Sequence, residues 1–352
     1  NILEMKKTIL GFAMLSLLAC KKDETPVSDP EKTFGTGVFI VNEGVWGSGE
    51  STLSHLNESN NELTATAFLE KNGYTLGGDV FQSMTIAGNK AFMVINNGSV
   101  VEVADATTLA SLTQITGITS PRYMVTNGGF GYISDWASDN VFLVDLTSYA
   151  ILDSIKVGSD PENMLIDNDK LYVANSAGGF GSAEDSTISV IDLATNTIVN
   201  SITVGDGPQS LRMDANGDLW VLCTGFYNAT AGKLVKVDLS DNSTMTLDFP
   251  GIDFQPVKMT SNAAGDKLYY LYGGYGGGSV YEMSISSSTL PTTPLIAREH
   301  YGLEVHPTND MIYGGVAPSF SEDGWLMRYD LSGTVLDSFK VGIGPNGFNF
   351  ID

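Results

Sequence analysis

Aromatic side chains set in Gly-, Ser- and Asn-rich loops are the residues of this chain that folding alone explains least well. Trp46 lies in VNEGVWGSGE, Trp136 in SDWASD, Phe180 in NSAGGFGSAED, Phe226 and Tyr227 in TGFYNATAG, Tyr272 and Tyr275 in YGGYGGG, and Phe320 in APSFSEDG. A loop that only reverses the chain has no use for such rings, whereas a cluster of exposed aromatics makes a surface that holds apolar ligands. The bland alternative is that each ring folds down as a cap on its own strands. A second set recurs at the start of successive strand-like runs: Gln82, Arg122, Glu162, Gln209, Val257, Tyr301 and Asn346. Mostly polar, with one cation and one anion, it offers differently oriented hydrogen-bond groups to a ligand with amide edges. Equally, it could only hydrate a channel.

Other chemistries find less support. His55, His300 and His306 are too few and too scattered for a metal set, and no metal is expected. No GxSxG elbow occurs in a strand-turn-helix context. Asp139, Glu184, Asp185 and Asp323 fall in the aromatic loops, yet no short segment supplies the alternating oxygen ligands of a calcium loop. The Gly-rich run Gly273 to Gly278 precedes a strand, not a helix, so it is no phosphate cradle. Cys223, in VLCTG, reads as a small buried thiol.

The elements that must position these residues repeat. From Pro161 to Gly205 the chain reads as four short strands, NMLID, KLYVAN, STISVID and TIVNSITV, each bounded by Asn, Asp, Gly or Ser. Similar units begin at Phe81, Ser120, Pro208, Gln255 and Glu299, with a period of roughly 40 to 50 residues, the range of propeller blades. Near the start, GVFIVNEG, STLSHLN and ELTATAF read as second, third and fourth strands lacking a first. At the end PNGFNFID reads as a first strand lacking its followers. Joining them predicts an all-β, seven-bladed propeller with four-stranded blades, one blade shared between the termini, which leaves no open sheet edge. In that architecture the loops between second and third strands, which carry the aromatics, share a face with the starts of the first strands. The loops of the other face, such as DNDK and ANGD, are turn chemistry alone.

The formal net charge is -23, from 18 Lys and Arg against 41 Asp and Glu. That excludes nucleic acid as a partner, since no basic stripe could offset phosphate repulsion. Met5 reads as a start with residues 1–4 as an upstream extension. Lys6-Lys7 and the apolar run from Ile9 to Ala19 then form a signal peptide over residues 1–19, too short to span a membrane. Leu17-Leu18-Ala19-Cys20 resembles the bacterial lipobox, which implies lipidation of Cys20. Residues 20–34, KKDETPVSDP among them, form a flexible tether, and residues 35–352 the propeller. The charged run after Cys20 resembles the surface-export signal of Bacteroidetes lipoproteins.

KLYVAN, ISVIDL, IVNSITVG and the proline that opens the next unit resemble YVTN-type seven-bladed propellers. With GVFIVNEGVWGSGESTLSHLN, GDVFQSMTIAGNKAFMVIN and the leader, nearly the whole chain is similar to surface propeller lipoproteins of Bacteroidetes. These include the cobalamin-capturing partners of TonB-dependent vitamin B12 receptors. The resemblance implies a protein anchored to the outer membrane by lipid alone and exposed at the cell surface. Such a protein captures a corrinoid on one propeller face, has no cofactor of its own, and hands its ligand to a TonB-dependent receptor. On the residue reading, Trp46, Trp136, Phe226, Tyr227, Tyr275 and Phe320 would grip the ligand's flat faces, while Gln82, Arg122, Gln209 and Asn346 would bond its polar edge. Two other classes remain open. One is an interaction scaffold that docks an outer-membrane protein or glycan with no small ligand. The other is a propeller hydrolase or lyase, which needs convergent carboxylates or histidines where the ring supplies a single carboxylate; the expectation is therefore a binding protein and not an enzyme.

Overall fold

Each strand run is cut by residues that reverse the chain at little cost, and the same device recurs at one end of the molecule. Asp105, Asp145, Asp192, Asp238 and Asp330 each end a third strand and accept backbone N–H bonds from the residues that follow. Asp145, for example, takes Thr147 N–H at 3.0 Å and Ser148 N–H at 2.7 Å. All five pKa values are lowered: by the Lys170 ammonium foremost at Asp192, by the Ser240 and Ser332 hydroxyls foremost at Asp238 and Asp330, and by these backbone bonds foremost at Asp105 and Asp145. The turn is therefore written as Asp followed two or three residues later by Ser or Thr.

The computed structural model describes residues 32–178, 184–274 and 276–351. From Thr33 onward it folds as seven four-stranded antiparallel sheets. The innermost strands are Phe81–Ala87, Pro121–Asn127, Pro161–Asp167, Pro208–Met213, Val257–Ser261, Gly302–Val305 and Pro345–Ile351. Each packs beside the next around a central axis. The seven-bladed propeller expected from the repeats is thus the fold. The alternating apolar residues of neighbouring blades interlock: Tyr172, Ala174 and Ile188 of one blade form a common core with Leu211, Leu219 and Val221 of the next. Cys223 is buried in this core, where loss of hydration pushes its thiol up to about 12.

The ring closes between the two ends of the chain. Gly37–Asn42 pairs antiparallel with Pro345–Ile351, setting Val38 opposite Phe350 and Ile40 opposite Phe348. Phe348 and Phe350 pack against Tyr313 of the preceding blade, and Phe350 also against the His306 ring. Arg328 adds a polar clasp. It pairs with Asp337 on its own blade and reaches Glu58 at 3.3 Å and Asn61 at 2.7 Å on the closing one.

Two details differ from expectation. ELTATAF is not a full strand: only Glu62–Thr64 pairs, and Ala67–Asn72 winds into a helix that buries Ala67 and Phe68 and is capped by Gly73 in the left-handed region (φ 75°). AFLEKN consists largely of good helix formers, and folding its apolar pair onto the sheet covers an edge that a fourth strand would otherwise pair. Phe34, expected as the last tether residue, is 2% exposed and sits against the rings of Phe39 and His55, with its N–H donated to Thr107. This places it on the face of the Asp turns. Cys20 and the rest of residues 1–31 lie outside the described residues.

His300 occupies a fourth strand and is 1% exposed; its Nε2 lies 2.9 Å from the Tyr329 hydroxyl, and its Nδ1 makes no well-formed hydrogen bond among the described residues. Burial lowers its pKa to about 4. The unfolded chain therefore binds this proton before the folded one does, so stability is lost as pH falls from about 6.5 towards 4 and not further below. Chemical denaturation across that window is expected to show a loss of up to roughly 3 kcal/mol from this group, and His300→Gln should remove that part of the slope. For the closure, Phe348→Ala is expected to cost about 3 kcal/mol or more in the same assay and to speed proteolysis near Gly37.

Candidate functional site

Six of the inner strands begin with an irregular register, most plainly where Pro121 pairs with Asp135 but Met124 with Ile133. A bulge of this kind inserts an extra residue and re-aims its side chain, here at the mouth of the axis. Gln82, Arg122, Glu162 and Gln209 all line a cavity of about 560 Å³ at that mouth. The second-to-third-strand loops lean over the same cavity and contribute Trp46, Trp136, Phe226 and Tyr227. Two rims are largely solvent-facing, since Trp46 is 75% and Tyr227 56% exposed.

Arg122 and Glu162 anchor the floor. Both are buried, and the guanidinium donates two 2.8 Å bonds from Nε and Nη2 to the two carboxylate oxygens. Burial works against the Arg122 charge, but Glu162 more than offsets it, and the pKa of the guanidinium is raised. The guanidinium also stacks 3.7 Å from the centre of the Trp136 ring, whose far edge rests on the backbone of Gly178, where a Cβ would crowd it. The Trp136 loop is itself fastened: Asp135 takes Ser138 N–H at 3.0 Å, and Trp136 N–H reaches the Ser120 carbonyl at 3.1 Å. Opposite, Gly225 adopts φ 71° where any side chain would overlap the Thr230 carbonyl. That turn presents Phe226 and Tyr227, and Gln255 holds it through a 2.9 Å bond to the Gly225 carbonyl.

The remaining expectations fall differently. Phe320 does not line the cavity but packs edge-on, 5.1 Å away, against Tyr301, which does. Asn346 sits below, in a narrower axial chamber of about 150 Å³, and donates to Glu43. Tyr272 is a cap: its hydroxyl bonds the Pro250 carbonyl at 2.6 Å and its ring packs on Phe249 and Tyr281. Tyr275 and Phe180 lie outside the described residues. Arg122, expected to bond a ligand edge, is engaged by Glu162 and Trp136. Asp139 and Asp185 accept the N–H groups of Asp160 and Ser159, at 2.9 and 2.8 Å, while Asp323 opens a strand and pairs with Lys340 at 3.0 Å. Among the described residues no three His, Cys, Asp or Glu side chains converge as a metal set.

Two charged residues of the cavity were missed. Glu43 directly follows the strand Gly37–Asn42 and brings a second carboxylate, which accepts a 2.7 Å bond from the Tyr301 hydroxyl. Burial first, then this carboxylate, holds the Tyr301 phenol well above its ordinary pKa. The loop after FIVN, EGVWGSGE, contained no signal for it beyond the acid itself. Lys258 replaces Val257 as the bulge residue of its blade: Val257 pairs with Leu271 and Thr260 with Tyr269, so Lys258 and Met259 together face Tyr270, one residue more than the ladder needs. Counting from Pro256 hid this, because that proline stands one place ahead of those in other blades.

Residues 36–349 match the family described as Domain of unknown function (DUF5074). The chain belongs to this family. Among curated proteins none matches this DUF5074 chain. It is similar to the solved structure of a quinonprotein alcohol dehydrogenase-like protein from Bacteroides thetaiotaomicron, at 17% identity and a TM-score of 0.70, over 91% of this chain and 79% of that one. A proposed 6-phosphogluconolactonase from Bacteroides fragilis shows 16% identity and a TM-score of 0.64, over 92% and 100% of the two chains. Hydrazine synthase of Kuenenia stuttgartiensis shows 17% identity and a TM-score of 0.60, over 78% and 92%. At such identities these likenesses show the propeller fold of the DUF5074 chain and establish neither presence nor absence of an enzyme activity.

The buried pair makes a direct prediction. Glu162→Gln leaves the Arg122 charge in place without its counter-charge and is expected to destabilise the protein by about 3 kcal/mol or more in chemical denaturation.

Proposed function

We propose that this propeller is a capture protein whose cavity takes up an amphiphilic small molecule with a flat ring system. The carrying observation is that loops from three separate blades bring Trp46, Trp136, Phe226 and Tyr227 onto one cavity whose wall also holds the Gln82 and Gln209 amides. Its volume falls within the range of small-molecule sites, roughly 300 to 1,000 Å³. Apolar rings with a few fixed polar groups suit a ligand with a broad face and an amide-bearing edge.

Cobalamin or another corrinoid is the first candidate, a choice supported by the resemblance of leader and repeats to the vitamin B12-capturing lipoproteins. On the same footing, Cys20 carries a lipid, the protein stands at the surface of the outer membrane, and a TonB-dependent receptor accepts the ligand. The described cavity lining contains no histidine, and each oxygen of its two carboxylates already accepts a hydrogen bond. This favours holding a ligand over transforming it.

Calorimetry with cobalamin and cobinamide on protein lacking residues 1–20 tests the reading. Binding is expected, and Tyr227→Ala should weaken it about tenfold, close to 1.4 kcal/mol, without lowering the melting temperature. Absence of heat with either corrinoid at micromolar protein would sink the corrinoid assignment.

A further inference from the structure

We infer that the cavity recognises an oxyanion on its ligand, a phosphate ester or a carboxylate, and that Lys258 is the group that binds it. The inference rests on the reading of the cavity as the ligand site. Lys258 lines both the mouth cavity and the axial chamber beneath it, so its side chain stands where the two join. It holds the bulge position that Arg122 and Glu162 hold in their blades. Those two neutralise each other. Lys258 has no partner among the described residues.

The hydrogen-bond balance of the wall points the same way. All four carboxylate oxygens of Glu43 and Glu162 are occupied, by Tyr301, Asn346 and Arg122. Donors are left over: the Lys258 ammonium and the Trp136 indole N–H, a buried group with no partner among the described residues. A mouth whose carboxylate oxygens are all engaged while an ammonium and an indole N–H are not is complementary to an anion. In a chain of net charge -23 the general field repels anions, so only a local cation could draw one in.

The backbone adds an independent sign. Lys258 adopts φ 53°, a left-handed conformation that glycine takes freely and a lysine only at a cost. Strain of this kind, kept at the mouth of a cavity, is characteristic of residues held for function.

Thermal melting of the protein in inorganic phosphate or in acetate, against chloride at the same ionic strength, tests the inference without any corrinoid. A saturable rise of about 2 °C or more in phosphate is expected, since binding to the folded state alone raises the melting point. Lys258→Gln and Lys258→Gly should both abolish the rise, whereas Lys156→Gln on the outer rim should keep it. The glycine variant suits the left-handed backbone, so it is expected to melt no lower than wild type in chloride. A rise in acetate as well would extend the site to carboxylates; a rise in phosphate alone would restrict it to phosphate esters. No rise in wild-type protein, or an equal rise in the two Lys258 variants, would overturn the assignment. A rise in phosphate combined with silence towards corrinoids would keep the oxyanion site and dismiss the corrinoid.

Discussion

Seven sheets hold each other only if the ring is closed, and closure rests on one antiparallel pairing between segments about three hundred residues apart. Gly37–Asn42 and Pro345–Ile351 share a sheet that neither could form alone, and Phe348 and Phe350 then fill the space against Tyr313. Without it the molecule would expose an inner strand and the flank of a blade, the arrangement that invites association with other chains. The loops at the mouth inherit their spacing from this ring. Glu43 follows directly on the closing strand and meets Tyr301 of the preceding blade and Asn346 of its own first strand, so the joint of the ring is also part of the wall of the cavity.

Much of this was legible in the residues, and the failures have physical reasons. The repeat announced itself because each turn needs Asp, Asn or Gly at set places and each strand needs apolar residues on the blade-facing side. The shared blade followed from what was lacking at either end. ELTATAF misled because Leu63, Ala65 and Ala67 alternate convincingly with Thr64 and Thr66, while the better helix formers after Ala67 respond to the packing of Phe68, which a local pattern does not contain. Val257 was placed in the ring by counting from a proline. The ladder instead counts hydrogen-bond partners, and these shift by one where the bulge begins.

The candidate site was legible as a face and much less so as a set of roles. Loops carrying rings were correctly separated from loops carrying turns, and Trp46, Trp136, Phe226 and Tyr227 do share one cavity. Whether an aromatic or a charge is available to a ligand depends on its neighbours. Tyr272 and Phe320 are engaged with other aromatics, Arg122 is clamped by Glu162, and Lys258 has no partner among the described residues. Membership of the DUF5074 family and likeness to distant propellers account for the scaffold and leave these distinctions to the side chains themselves.

The burial of Phe34 has a mechanical corollary. The chain joins the ring at the lower end of Gly37–Asn42, a strand hydrogen-bonded on both sides, to Thr52–Asn57 and to Pro345–Ile351. Traction applied through Thr33 and directed away from that face runs along the strand, so it loads both ladders in shear, with many bonds resisting at once, instead of peeling them one by one. Phe34, wedged between Phe39 and His55, takes the first of the strain.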